Sequence, residues 1–163
     1  AGQATAAVEL IEEVPDLDFV LAPVSGGGLL SGIGIATRQM LPLARVIGCE
    51  PAQADDAARS LAAGQLEPAA TSRTMADGLR GALSPRTLAI LQRTTDAITL
   101  VTEDEIIAAT RLLWERLKLV VEPSGAVAAA PALFRQIHGE GKKIGIVLSG
   151  GNVDLNTLPF AMG

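Results

Sequence analysis

Short unbroken apolar runs alternate along this chain with longer stretches in which apolar residues recur three and four positions apart. The runs at 19–24 (Phe-Val-Leu-Ala-Pro-Val), 45–50, 97–101 and 143–148 read as buried strands. The periodic stretches predict helices over 3–13, 33–40, 55–63, 84–93, 102–118 and 124–138. Local chemistry punctuates them. Pro15 stops the first helix and Gly64 the third, and Ser84 followed by Pro85 is a capping residue with proline at the first helical position. Thr102 and Glu105 form a capping box, after which Ile106, Leu113 and Leu117 keep helical spacing. Residues 65–73 have no periodicity and read as a loop.

Continuous apolar strands alternating with helices predict an α/β fold, an open and mainly parallel sheet with helices on both faces. In such sheets ligands bind beyond the carboxyl ends of the strands. Four polar or glycine-rich segments fall there: 25–32, 50–56, Thr102-Glu103 and 149–152. The first and last of these can sit around one ligand.

The first is the most informative. Residues 25–32, Ser-Gly-Gly-Gly-Leu-Leu-Ser-Gly, lie between a strand and a helix, where backbone N–H groups converge on an anion at a helix N-terminus. Consecutive glycines let the backbone itself approach a ligand, and phosphate is the leading candidate; a tight turn with nothing bound is the alternative. Two phosphate fingerprints are excluded. A dinucleotide loop counted from Gly26 needs glycine where Ser31 stands, and a P-loop ends in Gly-Lys-Ser/Thr, whereas Ile33 follows Gly32. With no lysine to reach a second phosphate, the loop is expected to hold one. On that basis Gly27→Val should block the ligand and leave the sheet folded.

Composition narrows the classes further. At 163 residues and 48% apolar content, the chain is one domain's worth with enough apolar mass for a core. No run approaches the roughly 18 apolar residues of a membrane span, and no signal-peptide pattern is present. Net charge of -5 with scattered basic residues argues against a nucleic-acid surface, so neither membrane nor nucleic acid is an expected partner. The single cysteine, Cys49, reads as a buried small hydrophobe of a cytoplasmic protein. His138, the single histidine, reads as a dipole partner near a helix end. One cysteine and one histidine leave no zinc cluster and no nucleophile–histidine triad.

Eight segments stand out together: Ala-Gly-Gln at 1–3, Pro-Val-Ser-Gly-Gly-Gly-Leu-Leu-Ser-Gly at 23–32, Glu-Pro-Ala-Gln-Ala-Asp-Asp at 50–56 and Thr-Met-Ala-Asp-Gly at 74–78. The others are Val-Thr-Glu-Asp-Glu-Ile at 101–106, Trp-Glu-Arg-Leu-Lys at 114–118, Val-Glu-Pro-Ser-Gly at 121–125 and Leu-Ser-Gly-Gly-Asn-Val-Asp at 148–154. In order and spacing they resemble the fold-type II pyridoxal-phosphate enzymes, closest to the serine/threonine dehydratase and serine racemase group. The resemblance implies part of the large domain of a tryptophan-synthase-β-like fold, with pyridoxal phosphate as cofactor. It also implies roles by position. Ser25, Gly26, Gly27, Gly28 and Leu29 look like the cradle of the cofactor phosphate. Ser149 matches the residue whose hydroxyl faces the pyridine nitrogen, and Gly78 and Glu122 match positions lining the cofactor pocket. A neutral hydroxyl at that nitrogen makes a weaker electron sink than an aspartate would, which suits expulsion of a β-hydroxyl. Glu50, the Ala54 carbonyl and Asp56 match a cation site of hard oxygen ligands suited to Mg2+, Mn2+ or Ca2+. The plainer alternative is that Asp55 or Asp56 caps the short helix and Glu50 merely ends a strand. Trp114 with Leu112, Leu113 and Leu117 reads as core.

The family carries its cofactor on a lysine in a Ser-x-Lys-x-Arg-Gly-like stretch, and none of Lys118, Lys142 and Lys143 fits it. The resemblance therefore places residues 1–163 in the C-terminal portion of the pyridoxal-phosphate-binding domain. The N-terminal half with the Schiff-base lysine is absent from them, and no catalytic residue is assigned. Ala4 and Ser25 stand where the family usually has glycine. The implied function is part of a hydroxy-amino-acid ammonia-lyase of serine/threonine dehydratase type, taking a small hydroxy-amino-acid substrate to a keto acid and ammonia. Alternatives are an amino-acid racemase of the same family and a non-catalytic module binding phosphate or a divalent cation. The chain alone is expected to be inactive. A complementary N-terminal half, or a second copy in a homo-oligomer, is the expected partner, docking near the strand 19–24 and the helix 3–13.

Overall fold

The computed structural model of the chain describes residues 2–68, 73–134, 137–155 and 158. Ala1 of the first motif, positions 69–72 of the expected loop and positions 135–136 of the expected last helix lie outside the described residues.

Among the described residues four strands form one parallel sheet: β1 (Phe19–Pro23), β2 (Arg45–Pro51), β3 (Ala97–Val101) and β4 (Ile144–Ile146), in the order β3-β2-β1-β4. Leu21 stands opposite Ile47 on one side and Ile146 on the other, and Gly48 opposite Ile98. The helices are α1 (Thr5–Glu13), α2 (Gly28–Met40), α3 (Asp56–Ala63), α4 (Pro85–Thr94), α5 (Glu103–Leu112), α6 (Pro123–Ala126) and α7 (Ala130–Leu133). Each face of the sheet has its own core. Leu21, Ile47 and Cys49 pack with Ile106, Ala109 and Val127 on one side. Val20, Ala22 and Val46 pack with Ile11, Ile33 and Leu91 on the other. Both faces are covered, which is why the strands read as unbroken apolar runs rather than as alternating ones.

Several expectations are corrected. β1 is an internal strand, hydrogen-bonded to β2 and to β4, and α1 already buries Ala7 and Ile11. Among the described residues the unpaired edges belong to β3 and β4, so 19–24 offers no free strand edge for docking. The helix expected at 33 starts at Gly28, because the second part of the glycine loop, from Gly28 on, is itself the first helical turn. The helix expected over 124–138 is broken into α6 and α7. Pro131 has no N–H to donate, and its ring crowds the carbonyl four residues back, that of Val127. The helix expected over 102–118 is α-helical only to Leu112; Leu113–Leu117 wind as a π-helix that ends at Lys118 with φ of 58°. The wider turn leaves Leu113 buried but swings Leu117 out to 59% exposure, so Leu117 is not core. Trp114 is half-buried, its indole N–H donating to the Val121 carbonyl at 2.8 Å. β4 covers Ile144–Ile146, shorter than the run 143–148.

Candidate functional site

β1 carries the chain to the carboxyl end of the sheet, where the Val24 N–H donates to the Cys49 carbonyl at 3.0 Å and holds the exit against β2. Gly27 then takes a left-handed backbone, φ 80°, open to glycine at little cost, and Gly28 begins α2. The first bond inside the helix runs from the Ser31 N–H to the Gly27 carbonyl at 2.9 Å. The N–H groups of Gly28, Leu29 and Leu30 precede that bond and have no helical acceptor, at the positive end of the α2 dipole. This turn opens onto a cavity of about 230 Å3. Pro23 and residues 25–29 form one wall, Gly78 and Leu79 a second, and Ser149 a third. Residues singled out in the glycine loop, at Gly78 and at Ser149 therefore meet around one space.

Glu122 stands one layer back. Its carboxylate accepts from the Asn152 N–H at 2.9 Å, and its own N–H donates to the Gly150 carbonyl at 3.0 Å. It braces the turn that presents Ser149. Two hydrogen bonds that hold the site together have no local signature. Ser124 Oγ accepts from the Gly78 N–H at 3.0 Å across 46 residues, and Ser25 Oγ accepts from the Gly81 N–H at 3.0 Å across 56. Nothing in the spacing of the sequence announces such long-range pairs.

The expectation for Gly27→Val is also corrected. A Cβ on Gly27 would lie 2.7 Å from Leu83 Cδ2 and 2.9 Å from Thr87 Cβ, whereas one on Gly28 meets nothing within 4 Å. Gly27 is packed against the start of α4, and Gly28 is the position from which a side chain enters open space.

A second cluster lies at the carboxyl end of β2. Glu50 is buried, and its two carboxylate oxygens accept from the Ala57 N–H at 2.9 Å and the Ala58 N–H at 2.8 Å. A strand residue thus caps α3. Asp55, at the N-cap, makes no capping bond and pairs with Arg59 at 2.9 Å instead. Asp56 is buried beside them, and its Oδ2 has no hydrogen-bond partner. Burial pushes the Glu50 carboxyl up to about 8 against the opposing pull of the two amides, and burial also raises Asp56. Among the described residues no group of three or more Asp, Glu, His or Cys is placed to hold a metal. Glu50 and Asp56 are thus two buried carboxylates, and one of their oxygens is orphaned.

The remaining chemistry-bearing side chains point elsewhere. Cys49 is buried, and desolvation raises its thiol well above the usual range, so it is no nucleophile. His138 is exposed and lies beyond the end of α7 at Leu133, beside a larger cavity with Ala132, Ile137 and Ile144. Lys118 Nζ donates to the Glu115 carbonyl at 2.8 Å, Lys142 Nζ to Asp18 at 3.0 Å, and Lys143 pairs with Asp16. Among the described residues no lysine lines the cavity at the α2 N-terminus.

Known proteins resemble this chain in sequence and in fold. A family model described as pyridoxal-phosphate dependent enzyme matches residues 1–150. The serine racemase of Oryza sativa subsp. indica is 44% identical over 163 residues, covering 97% of this chain and 48% of that protein. The beta-hydroxyaspartate dehydratase of Paracoccus denitrificans (strain Pd 1222) is 42% identical over 160 residues, covering 98% and 51%. The structure of maize serine racemase matches with a TM-score of 0.91 at 42% identity, covering 99% of this chain and 50% of that one. The chain spans about half the length of these relatives. Among the described residues no helix is long and apolar enough to cross a membrane. The parallel sheet, the glycine turn at its carboxyl end and the family match over most of the sequence agree: this chain belongs to the pyridoxal-phosphate dependent enzymes, with a tryptophan-synthase-β-like fold.

Proposed function

We propose that this chain is the cofactor-phosphate-binding portion of an enzyme acting at Cα of a small hydroxy-amino acid. The reaction is β-elimination to a keto acid and ammonia, or racemisation. The observation that carries this is the meeting of the α2 N-terminus with Gly78 and Ser149 around one cavity. The relatives include both serine racemases and a beta-hydroxyaspartate dehydratase, so racemisation stands level with the elimination that the sequence reading puts first.

Pyridoxal phosphate, when bound, supplies an electron sink for the charge left at the substrate Cα. The residues of this chain bind and orient it. The free N–H groups of Gly28, Leu29 and Leu30, with the α2 dipole behind them, hold and partly neutralise the phosphate. Ser149 offers a neutral hydroxyl to the ring, on a turn stiffened by Glu122. Gly78 and Leu79 close the side of the pocket and exclude water there. Glu50, the Ala54 carbonyl and Asp56 would hold Mg2+, Mn2+ or Ca2+, whose charge lets both carboxylates stay ionised while buried. Proton transfer at Cα needs a base that these residues do not supply, which assigns it to a complementary N-terminal half.

The test joins this chain to the N-terminal half of the Oryza sativa serine racemase. The fusion is given L-serine, L-threonine and 3-hydroxyaspartate, and keto acid and D-enantiomer are measured. The fusion should form at least one product and the 163-residue chain alone neither. A fusion that binds the cofactor yet forms no product moves the reading to a non-catalytic module, and turnover by the chain alone contradicts the division of labour.

A further inference from the structure

We infer that the Ser25 hydroxyl is a positioning latch, tying the 77–83 segment to the phosphate cradle and thereby tuning how tightly the α2 N-terminus holds a phosphate ester. The inference builds on the phosphate reading of the cradle given above. Ser25 lies where the chain leaves β1 for α2. Its Oγ accepts from the Gly81 N–H at 3.0 Å and donates to the Gly81 carbonyl at 3.2 Å, so one atom holds both polar groups of one residue. Gly81 is shaped for this contact, since a Cβ there would stand 3.0 Å from Ser25 Oγ.

The segment has little structure of its own. Its one regular element is the short helical turn Asp77–Leu79. At its near end Gly78 is anchored by Ser124 Oγ, and the Arg80 guanidinium reaches back to the Thr74 carbonyl at 2.7 Å. At its far end Leu83 packs over the Cβ position of Gly27, and Ser84 caps α4. Of the hydrogen bonds described, those of Ser25 are the ones that join this segment to the glycine turn. Gly78 and Leu79, which wall the cavity, sit between the Ser124 anchor and the Ser25 latch. Without the latch none of the hydrogen bonds described ties the wall to the glycine turn, and a ligand must order it on binding, which costs affinity.

The experiment uses the 163-residue chain as wild type, Ser25→Ala and Ser25→Thr. The first readout, without ligand, is the hydrogen-exchange rate of the Gly81 amide. The second is the dissociation constant of pyridoxine 5′-phosphate, which has no aldehyde to react with lysines. Ser25→Ala should speed Gly81 exchange and weaken binding, each by about three- to tenfold, the scale of one net hydrogen bond. Ser25→Thr should restore both. Unchanged Gly81 exchange in Ser25→Ala overturns the latch whatever happens to binding. Faster exchange with unchanged affinity overturns its positioning role. A wild type that binds no pyridoxine phosphate overturns the phosphate reading and the positioning role with it, while the exchange rates still report the latch contact separately.

Discussion

Gly27 and Gly28 are neighbours with opposite surroundings. A valine at Gly27 must adopt a left-handed backbone and collide with Leu83 and Thr87. Gly27→Val should therefore destabilise the fold, by on the order of 2–4 kcal/mol. Gly28→Val should leave urea denaturation within about 1 kcal/mol of wild type and abolish phosphate binding. If the two variants lose stability equally, the packing described here is wrong. Glu50 gives a pH prediction. Its carboxyl is raised from 4.5 to about 8 in the fold, so between those values the folded chain keeps a proton that the unfolded chain has released. Stability then falls as pH rises through that window and levels off above it. Melting temperatures in chelator should decline from pH 5 to pH 8, Glu50→Gln should flatten the decline, and Mg2+ or Ca2+ should raise stability most at the alkaline end. A decline that persists in Glu50→Gln would place the proton elsewhere. The glycine turn was legible in the sequence because its chemistry is local. The Glu50 cap on α3 and the Ser25 and Ser124 anchors were not, because each partner is an ordinary residue brought in by the fold.

The helices show the same division. The caps of α4 and α5 lie within four consecutive residues. Ser84 caps α4 ahead of Pro85 and the Thr102–Glu105 capping box forms, both as their sequence implies. The reciprocal bond to Thr87 that makes the α4 cap a box as well is added by the structure. Thr102→Ala should cost about 1 kcal/mol with an unchanged denaturant slope, because it removes a cap without altering what the fold buries. A change in the slope would show that more than the cap was lost. The break between α6 and α7 was written at Pro131 but masked by the alanine-rich helical pattern around it. The π-turn at Leu113–Leu117 had no comparable signal, since its apolar spacing fits an α-helix equally well. The early start of α2 ran against glycine's poor helix propensity. Contacts of Gly27 with α4 and the turn geometry at Gly27 overrode it.

At the scale of the molecule, the alternation of strands and helices was enough for the class of fold. The order of strands was not, because placing β4 beside β1 depends on contacts across the whole chain. Asp18, for example, accepts from the Lys143 N–H at 2.9 Å and from Lys142 Nζ at 3.0 Å, fastening the start of β4 to the start of β1. Those bonds hold the Asp18 carboxyl below its usual range. This topology brings the exits of β1 and β4 together, and so the glycine turn and Ser149. The most direct test of that convergence is an amide NMR titration of the 163-residue chain with pyridoxine 5′-phosphate. The predicted result is saturable shifts confined to residues 25–31, 78–81 and 149–152, lost in Gly28→Val. Shifts centred elsewhere, or saturation that survives Gly28→Val, would contradict a phosphate cradle at the N-terminus of α2.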